Sequence, residues 1–366
     1  MPELKLTHVH TGVVRLPADE PLAGGPAVAG ATRDFVTLRL GTDAGIEGIG
    51  LTGFGGALTG ELRSAVETLA RLALGEDPLR IEAVIAKLRA AAAPNGPGGL
   101  LTLALAAIDI ALWDIKGKAW GLPLAHLLGG YRDRVPTYAS GALMRHFPLE
   151  DVLKAAPRLV EKGFRQMKTQ LAIPGNTSAA REVERLRLVR ESIGYEIDLM
   201  CDINQLWDVR QAISIGSQLE EYRLFWLEDV VAHDDYPGLA QVAAALATPI
   251  AAGEYVYGSV PFRHLLEARS VDIVMIDVLR AGGITTWIKI AGMAQAFNLP
   301  VVSHLIPELH VHLVAAVPNG LTVEYMPWSV KLFEEVPLPV EGHLTVPASP
   351  GLGLAFDQAA LKRFGA

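Results

Sequence analysis

The sequence contains one cysteine, no block of basic residues and no long uninterrupted apolar segment. A lone cysteine, Cys201, excludes an intrachain disulfide and is typical of a reducing compartment. The first ten residues lack a basic segment followed by an apolar one, so we expect no secretory signal. These absences predict a cytoplasmic protein.

Basic residues are outnumbered by acidic ones: the 32 Lys and Arg residues stand against 40 Asp and Glu residues, which gives a formal net charge of −8. Nucleic-acid partners require a basic surface, and anionic membranes attract runs of Lys and Arg, so we expect neither partner. The most apolar stretch, 98–113, is interrupted by Asp109 and followed closely by Asp114 and Lys116. It falls short of the roughly 20 apolar residues of a membrane span and predicts a buried helix. The remaining partner class is a small molecule.

Histidine clusters of the kind that bind zinc are lacking. The two His-Val-His runs, at 8–10 and 310–312, fall in a strand-like segment and a helix-like stretch. We therefore do not expect a zinc hydrolase site.

Half of the 366 residues are hydrophobic, which provides a core large enough for two domains. Residues 1–128 show strand patterns followed by helical patterns, which predicts an α+β domain with irregular loops at 17–33 and 51–60. Residues 129–334 alternate eight strand-like and helix-like segments, which predicts an α/β fold of the (β/α)₈ TIM-barrel type. We expect the tail, 335–366, to pack back onto the first domain.

Three acidic residues, Asp202, Glu228 and Glu254, end successive apolar runs at an interval of 26 residues. That interval is the length of one strand-plus-helix unit, so the three carboxylates converge at the carboxyl ends of barrel strands. Unpaired charges are costly to bury, and a set of oxygen ligands suits Mg²⁺. The pattern predicts a magnesium site.

Further polar residues end the neighbouring strands. Asp277 and His304 form a predicted carboxylate–imidazole pair in which His304 acts as a base. Lys168 on the second strand provides a fixed positive charge, and Glu324 on the eighth, if protonated, would donate to an oxyanion. Asn204 is interpreted as a further ligand or a substrate contact. This set suits removal of a proton α to a substrate carboxylate through an enediolate.

The segments DIN, WLED, AAGE, IDVLRAGGIT, SHL and VEY, with the helix at 106–130, resemble the mandelate racemase branch of the enolase superfamily, the mandelate racemase/muconate lactonizing enzyme family. The resemblance implies an N-terminal α+β capping domain whose loops close over the barrel mouth. It also implies Mg²⁺ and a tendency to form homo-oligomers. The metal ligands, the His304–Asp277 pair and Glu324 fall on positions of that branch.

One position departs from the family pattern. Members with two bases carry Lys-x-Lys after the second strand, whereas this chain has Lys168, Thr169 and Gln170. Gln170 cannot accept a proton, so we interpret it as a substrate contact and expect one base. One base favours dehydration of an acid sugar or hydroxy acid to a 2-keto-3-deoxy acid. A racemase, epimerase or cycloisomerase is the alternative, and a catalytically silent metal-binding homologue is a third. Arg145 and His146 are interpreted as solvated loop residues.

Overall fold

The computed structural model describes residues 4–24, 30–176 and 178–366. The N-terminal part begins with a three-stranded antiparallel sheet in the order β1–β2–β3. Its strands are β1 (Leu6–Pro17), β2 (Thr32–Thr42) and β3 (Glu47–Thr52). The predicted loop at 17–33 therefore joins β1 to β2, and its residues 25–29 lie outside the described part of the chain.

Three helices follow this sheet: α1 (Thr59–Leu72), α2 (Ile81–Ala91) and α3 (Gly99–Trp120). Helices α1 and α3 pack against the strands, and α2 packs against α3. Helix α3 is buried on nearly every side, as its uniformly apolar sequence predicts. It ends at Gly121, whose left-handed φ of 66° is the usual glycine stop of a helix. Over residues 4–24, 30–176 and 178–366, no helix is long and apolar enough to cross a membrane.

Eight parallel strands then form a barrel, which confirms the predicted fold class. The strands are β4 (Arg134–Leu143), β5 (Gln166–Gln170), β6 (Asp198–Asp202), β7 (Trp226–Glu228), β8 (Ile250–Ala252), β9 (Ile273–Asp277), β10 (Val301–His304) and β11 (Val323–Tyr325). A hydrogen-bonded path runs from β10 back to β4 and on to β11. Between β10 and β11, Leu321 N donates to Val301 O and Glu324 N donates to Ser303 Oγ. These two bonds bring the ends of the sheet together.

Helices connect the barrel strands and cover their outer face. They are α4 (Leu124–Leu127), α5 (Leu149–Glu161), α6 (Ala179–Ile193), α7 (Val209–Leu219), α8 (Tyr236–Ala245), α9 (Val260–Glu267), α10 (Val278–Ala281), α11 (Ile284–Ala296) and α12 (Pro307–Ala316). With helices outside and side chains filling the centre, the strands are buried on both faces, which is why they are continuous apolar runs in the sequence.

The C-terminal tail contacts both parts of the chain. Strand β12 (His343–Thr345) pairs antiparallel with β4, and helix α13 (Gln358–Phe364) lies against β1. The amide of Ala366 donates to Val13 O at 3.0 Å. The exact domain boundaries at 128 and 334 stay a prediction.

A buried carboxylate joins α3 to the barrel. Asp109 Oδ1 accepts the backbone N–H of Thr285 at 2.9 Å, and its Oδ2 bonds the Thr285 hydroxyl. A Cβ at Gly283, whose φ is 104°, would lie only 2.4 Å from Asp109 Oδ1. Glycine at this position therefore allows the capping helix to approach the first turn of α11.

Apolar side chains fill the interior of the barrel below its mouth. Met200, Trp226, Met275 and Val302 belong to one buried cluster with Tyr138. Side chains two residues apart on a strand point to the same face. Residues 202, 228, 277 and 304 therefore point into the barrel directly above this layer.

Candidate active site

The polar strand ends meet in one pocket at the barrel mouth, about 320 Å³ in volume. Strand register places Asp202 beside Glu228 and His304 beside Asp277. The lining residues come from four barrel strands, from the segments that follow barrel strands, and from the loop 51–60: Phe54, Met144, Lys168, Gln170, Asp202, Asn204, Glu254, Tyr255, Arg280, His304, Leu305, Glu324, Met326 and Trp328. The structure therefore brings nearly all of the predicted site residues together.

Backbone strain is concentrated around this mouth. Non-glycine residues with left-handed φ follow several strand ends: Asn204 (48°), Asp229 (43°), Leu305 (53°) and Ile306 (41°). Phe54, in the capping loop, has φ of 62°. Each such residue costs on the order of 1–2 kcal/mol, so the surrounding packing must hold these turns in place.

Buried carboxylates crowd one side of the pocket. Ligand oxygens of Glu228, Asp229 and Glu254 all lie within 4.8 Å of one another. Burial raises the pKa of Glu228 to about 7 and that of Glu254 well above its usual value. Glu254 Oε2 and Asp229 Oδ2 are buried and have no hydrogen-bond partner among the residues that the structure describes. An all-oxygen set with uncompensated lone pairs fits Mg²⁺.

Asp229 was not predicted from the sequence as a ligand. Strict alternation would turn it away from Glu228, but its left-handed φ breaks the strand so that both carboxylates approach Glu254. Asp202 is not in this compact group. Its Oδ1 accepts the N–H of Asn204 at 2.7 Å, and its Oδ2 accepts Gln170 Nε2 at 3.1 Å. The ligand role of Asp202 stays a prediction, and Asp229 is an additional candidate.

Lys168 is bound by two carboxylates in the middle of the pocket floor. Its Nζ lies 2.5 Å from Glu228 Oε1 and 2.8 Å from Glu324 Oε1, and its side chain is 4% exposed. Burial would lower the pKa of this ammonium, but the charges of Glu228 and Glu324 outweigh burial and raise it well above its usual value. The predicted fixed positive charge is therefore present, and it is held between two acids.

The predicted histidine–carboxylate pair is in contact. Asp277 Oδ2 lies 2.7 Å from His304 Nδ1, and Asp277 Oδ1 accepts the N–H groups of Leu279 and Arg280. The ring's other nitrogen, Nε2, lies 3.4 Å from Glu254 Oε2. Burial would lower the pKa of His304, but the charge of Glu254 and the bond with Asp277 outweigh it and raise it to about 9. Asp277 thus orients the ring and leaves Nε2 toward the pocket.

Glu324 is held in its ionised form by neighbouring positive charges. Burial would raise the pKa of Glu324, but Lys168 and then His304 outweigh burial and lower it to about 2. Its Oε2 accepts the backbone N–H of Leu305 at 2.7 Å. The ionised carboxylate therefore holds the strained turn that directly follows His304, and its role as an oxyanion donor, which requires the protonated form, stays a prediction.

A polar network faces His304 from the other side of the pocket. Gln170 Nε2 donates to Asn204 Oδ1 at 3.1 Å, and Asn204 Nδ2 donates to Tyr255 Oη at 3.3 Å. Arg145 Nη2 donates to Asn204 Oδ1 at 2.7 Å. The interpretation of Arg145 as a solvated loop residue was wrong, because the turn after β4 folds its guanidinium inward. His146 is exposed, as expected.

Phe54 and Arg280 line the pocket and were missed as site residues. The Phe54 ring is stacked near His304, with centroids 6.2 Å apart and planes at 14°. The Arg280 guanidinium lies 4.0 Å from the Phe54 ring centroid and 4.8 Å from that of Tyr255. The loop 51–60 thus reaches the predicted base, as expected of a capping loop, but nothing in its sequence identified Phe54.

Residues 17–129 match the mandelate racemase/muconate lactonizing enzyme N-terminal domain, and residues 151–360 match the enolase C-terminal domain-like model. An L-talarate/galactarate dehydratase of Salmonella typhimurium is 33% identical over 97% of this chain and 90% of its own length. A 3,6-anhydro-α-L-galactonate cycloisomerase of Streptomyces coelicolor is 32% identical over 98% and 99%, respectively.

Among solved structures, the L-talarate dehydratase of Polaromonas sp. JS666, complexed with Mg and L-glucarate, superposes with a TM-score of 0.91. It is 32% identical and is matched over 99% of this chain and 98% of its own. The predicted resemblance and the predicted magnesium dependence are both confirmed. The chain belongs to the mandelate racemase/muconate lactonizing enzyme family and is a Mg²⁺-dependent enzyme of the enolase superfamily.

Proposed function

We propose that this enzyme dehydrates a 2,3-dihydroxy carboxylic acid of the acid-sugar type to a 2-keto-3-deoxy acid. The observation that carries the proposal is the asymmetry of the pocket. His304, backed by Asp277, faces it from one side, while the neutral amide of Gln170 occupies the other. Acid-sugar dehydratases among the relatives support the same reaction type.

Each site residue has a proposed role. His304, Asp277, Lys168 and Glu324 form the catalytic group, and Gln170 and Asn204 contact the substrate. Glu228 and Glu254, with Asp202 or Asp229, would hold the metal. When bound, Mg²⁺ supplies the positive charge that acidifies the α-proton and stabilises the enediolate.

In its neutral form, which requires loss of the proton that Glu254 and Asp277 favour, His304 accepts the α-proton at Nε2 as the C–H bond breaks, and the electron pair moves into the carboxylate. The resulting imidazolium then returns that proton to the β-hydroxyl on the same face, so the C–O bond breaks and water leaves. The enol that remains tautomerises to the 2-keto acid. Asp277 holds the ring through Nδ1, so its Nε2 is available in both steps.

Epimerisation or cycloisomerisation through the same enediolate is the second candidate. A cycloisomerase is among the relatives at 32% identity, and that reaction also begins with removal of a proton α to a carboxylate. A silent metal-binding protein is disfavoured because the buried base, its carboxylate partner and the acidic cluster are all present.

The test is to incubate the Mg²⁺-loaded enzyme in D₂O with a panel of aldonic and aldaric acids. We expect a 2-keto product from at least one acid, detected with semicarbazide and by NMR. Recovered substrate that carries α-deuterium, or its epimer, without keto product would overturn dehydration and favour the second candidate.

We also propose that the protein forms a homo-oligomer. Its partner in the reaction is the small carboxylate substrate described above. Three large hydrophobic side chains around the end of α3 support the homo-oligomer, since Trp120 is 44%, Leu122 40% and Tyr131 58% exposed. Light scattering after size-exclusion chromatography would contradict this if the protein elutes as a monomer at micromolar concentration.

A further inference from the structure

A second cavity, about 370 Å³ in volume, adjoins the catalytic pocket, and we call it the distal chamber. The two cavities share Phe54, Leu305, Met326 and Trp328 among their lining residues. A substrate held by its carboxylate beside His304 would therefore place its far end in the distal chamber. This chamber has no role in the proposed reaction steps.

The chamber is lined mainly by apolar groups. Leu279, Leu305, Ile306 and Met326 form its barrel side, each less than a tenth exposed, and Phe35 adds an apolar contact from the sheet of the capping domain. Such a surface gives little compensation to a charged ligand group, because a charge moved out of water needs a counter-charge or hydrogen bonds.

The two charged residues among the described lining are already paired. Asp34 Oδ2 lies 3.3 Å from Arg15 Nε. Arg33 forms an ion pair with Glu20, and its Nη1 donates to Asp19 O at 2.6 Å. Its guanidinium also stacks on the Trp328 ring, 3.8 Å from the centroid. The charge of Arg33 is therefore neutralised, and its side chain is held in place, by Asp19 and Glu20 of the loop 17–33.

Glu20 is the centre of this arrangement. Its carboxylate accepts Trp328 Nε1 at 2.9 Å and 3.0 Å as well as Arg33 Nη2, so one side chain fixes both the cation and the aromatic wall. The side chains of Glu20 and Arg33 are 13% and 18% exposed. Burial raises the pKa of Glu20 and lowers that of Arg33, so each charge depends on the other.

The barrel leaves space for the Glu20 carboxylate beside strand β4. A Cβ at Gly141 in β4, where φ is 94°, would lie 2.7 Å from Glu20 Oε2. The strand therefore has no side chain where the carboxylate approaches it. The Glu20–Arg33 ion pair is thus enclosed by three segments: the loop 17–33, strand β4 and the segment after β11.

From these contacts we propose that the distal chamber selects monocarboxylic acids with an uncharged, largely apolar far end, and that Glu20 determines this specificity by neutralising Arg33. The inference rests on the proposed function and narrows its substrate class. A second carboxylate, as in an aldaric acid, would find no unpaired cation among the described residues that line the chamber. We expect kcat/KM for a monoacid to exceed that for the diacid of the same configuration by about 100-fold or more.

The experiment compares the Mg²⁺-loaded wild type with Glu20→Gln on matched pairs, such as galactonate and galactarate. The panel includes 2,3-dihydroxy-3-phenylpropanoate as an apolar monoacid. Gln keeps the shape and the hydrogen bond to Arg33 but removes the neutralising charge. We expect the diacid-to-monoacid ratio of kcat/KM to rise at least about tenfold, because one free cation now faces the diacid.

Glu76→Gln is the matched control, since it removes an equivalent acid from an exposed ion pair with Lys87 on the capping domain. That control is expected to leave the ratio unchanged. A wild type that prefers diacids, or a folded Glu20→Gln enzyme with an unchanged ratio, would overturn the inference. Should Glu20→Gln fail to fold, Arg33→Met provides the second variant. It removes the cation, so it must retain the preference for monoacids, and a switch to diacids would contradict the proposal.

Ligand-induced thermal shifts separate this inference from the proposed function. Stronger stabilisation of the Mg²⁺-loaded enzyme by galactonate than by galactarate supports the chamber's selectivity even if no keto product forms. Equal stabilisation together with keto product would contradict the selectivity and leave the dehydration intact.

Discussion

At the scale of single residues, the position of one imidazole determines which face of the substrate can lose a proton. His304 is fixed through Nδ1 by Asp277, which itself is held by two backbone N–H groups. Its other neighbours are Glu254 and the Phe54 ring. Nε2, beside Glu254, is therefore the one ring nitrogen that faces the pocket.

We expect His304→Asn to lower kcat by about 10³-fold or more and to abolish exchange of the α-proton in D₂O, because the amide cannot accept a proton. Stopped assays of keto product and NMR of recovered substrate would measure both. His264→Asn, which changes a half-exposed histidine on α9, is the control. Retention of normal α-proton exchange in His304→Asn would rule out this base.

Gln170→Lys places a second proton acceptor opposite His304. Lysine can keep a donor toward Asp202, so we expect the fold to persist. The variant is expected to gain α-deuterium incorporation and epimer formation in D₂O, because protonation then becomes possible from both faces. Gln170→Met is the comparison that lacks an acceptor. Identical isotope patterns in both variants would count against the one-base interpretation.

At the scale of elements, the carboxylate of Asp109 connects the capping helix α3 to the start of α11. Burial raises its pKa to about 7, while the bonds with Thr285 oppose the shift. Between about pH 4 and 7 the unfolded chain loses a proton that the folded state retains. The free energy of unfolding therefore falls as pH rises through this window.

Asp109→Asn is expected to remove this pH dependence, which amounts to about 4 kcal/mol at most. Urea unfolding of wild type and variant at half-unit steps of pH gives the difference directly. Wild type is expected to lose stability relative to the variant up to about pH 7 and to remain level above it. A difference independent of pH would show that the pKa of Asp109 is the same in the folded and unfolded chain.

The order of strands and helices and the polar residues at the strand ends were predictable from the sequence. Both follow from local patterns, namely apolar runs and the regular spacing between them. Asp229 was not predictable, because its approach to Glu254 depends on a left-handed turn that no neighbouring glycine signals. Arg145 and Phe54 were missed for a related reason. Both lie on loops whose direction is decided by distant contacts, with Asn204 in one case and Arg280 in the other.

At the scale of the whole molecule, a charge cluster in the barrel is a source of instability that a bound cation relieves. Mg²⁺ at about 100 times its Kd is expected to stabilise the native state by about 2.7 kcal/mol, because it binds the folded chain alone. Thermal unfolding with and without the ion measures this shift.

Glu254→Gln is expected to reduce the shift, since one ligand oxygen with its charge is lost. Glu335→Gln, at an exposed position, is expected to leave it unchanged. An equal Mg²⁺ effect in wild type and Glu254→Gln would place the ion elsewhere.

An apolar layer closes the barrel interior beneath the reacting atoms; it is formed by Met200, Trp226, Met275 and Val302. Substrate, water and keto acid must therefore all enter and leave on the capping side. We expect the capping loops to move aside once per turnover. If this loop movement limits the rate, kcat is expected to decrease as sucrose raises the viscosity of the solvent. A kcat that does not change with viscosity would show that bond breaking is the rate-limiting step.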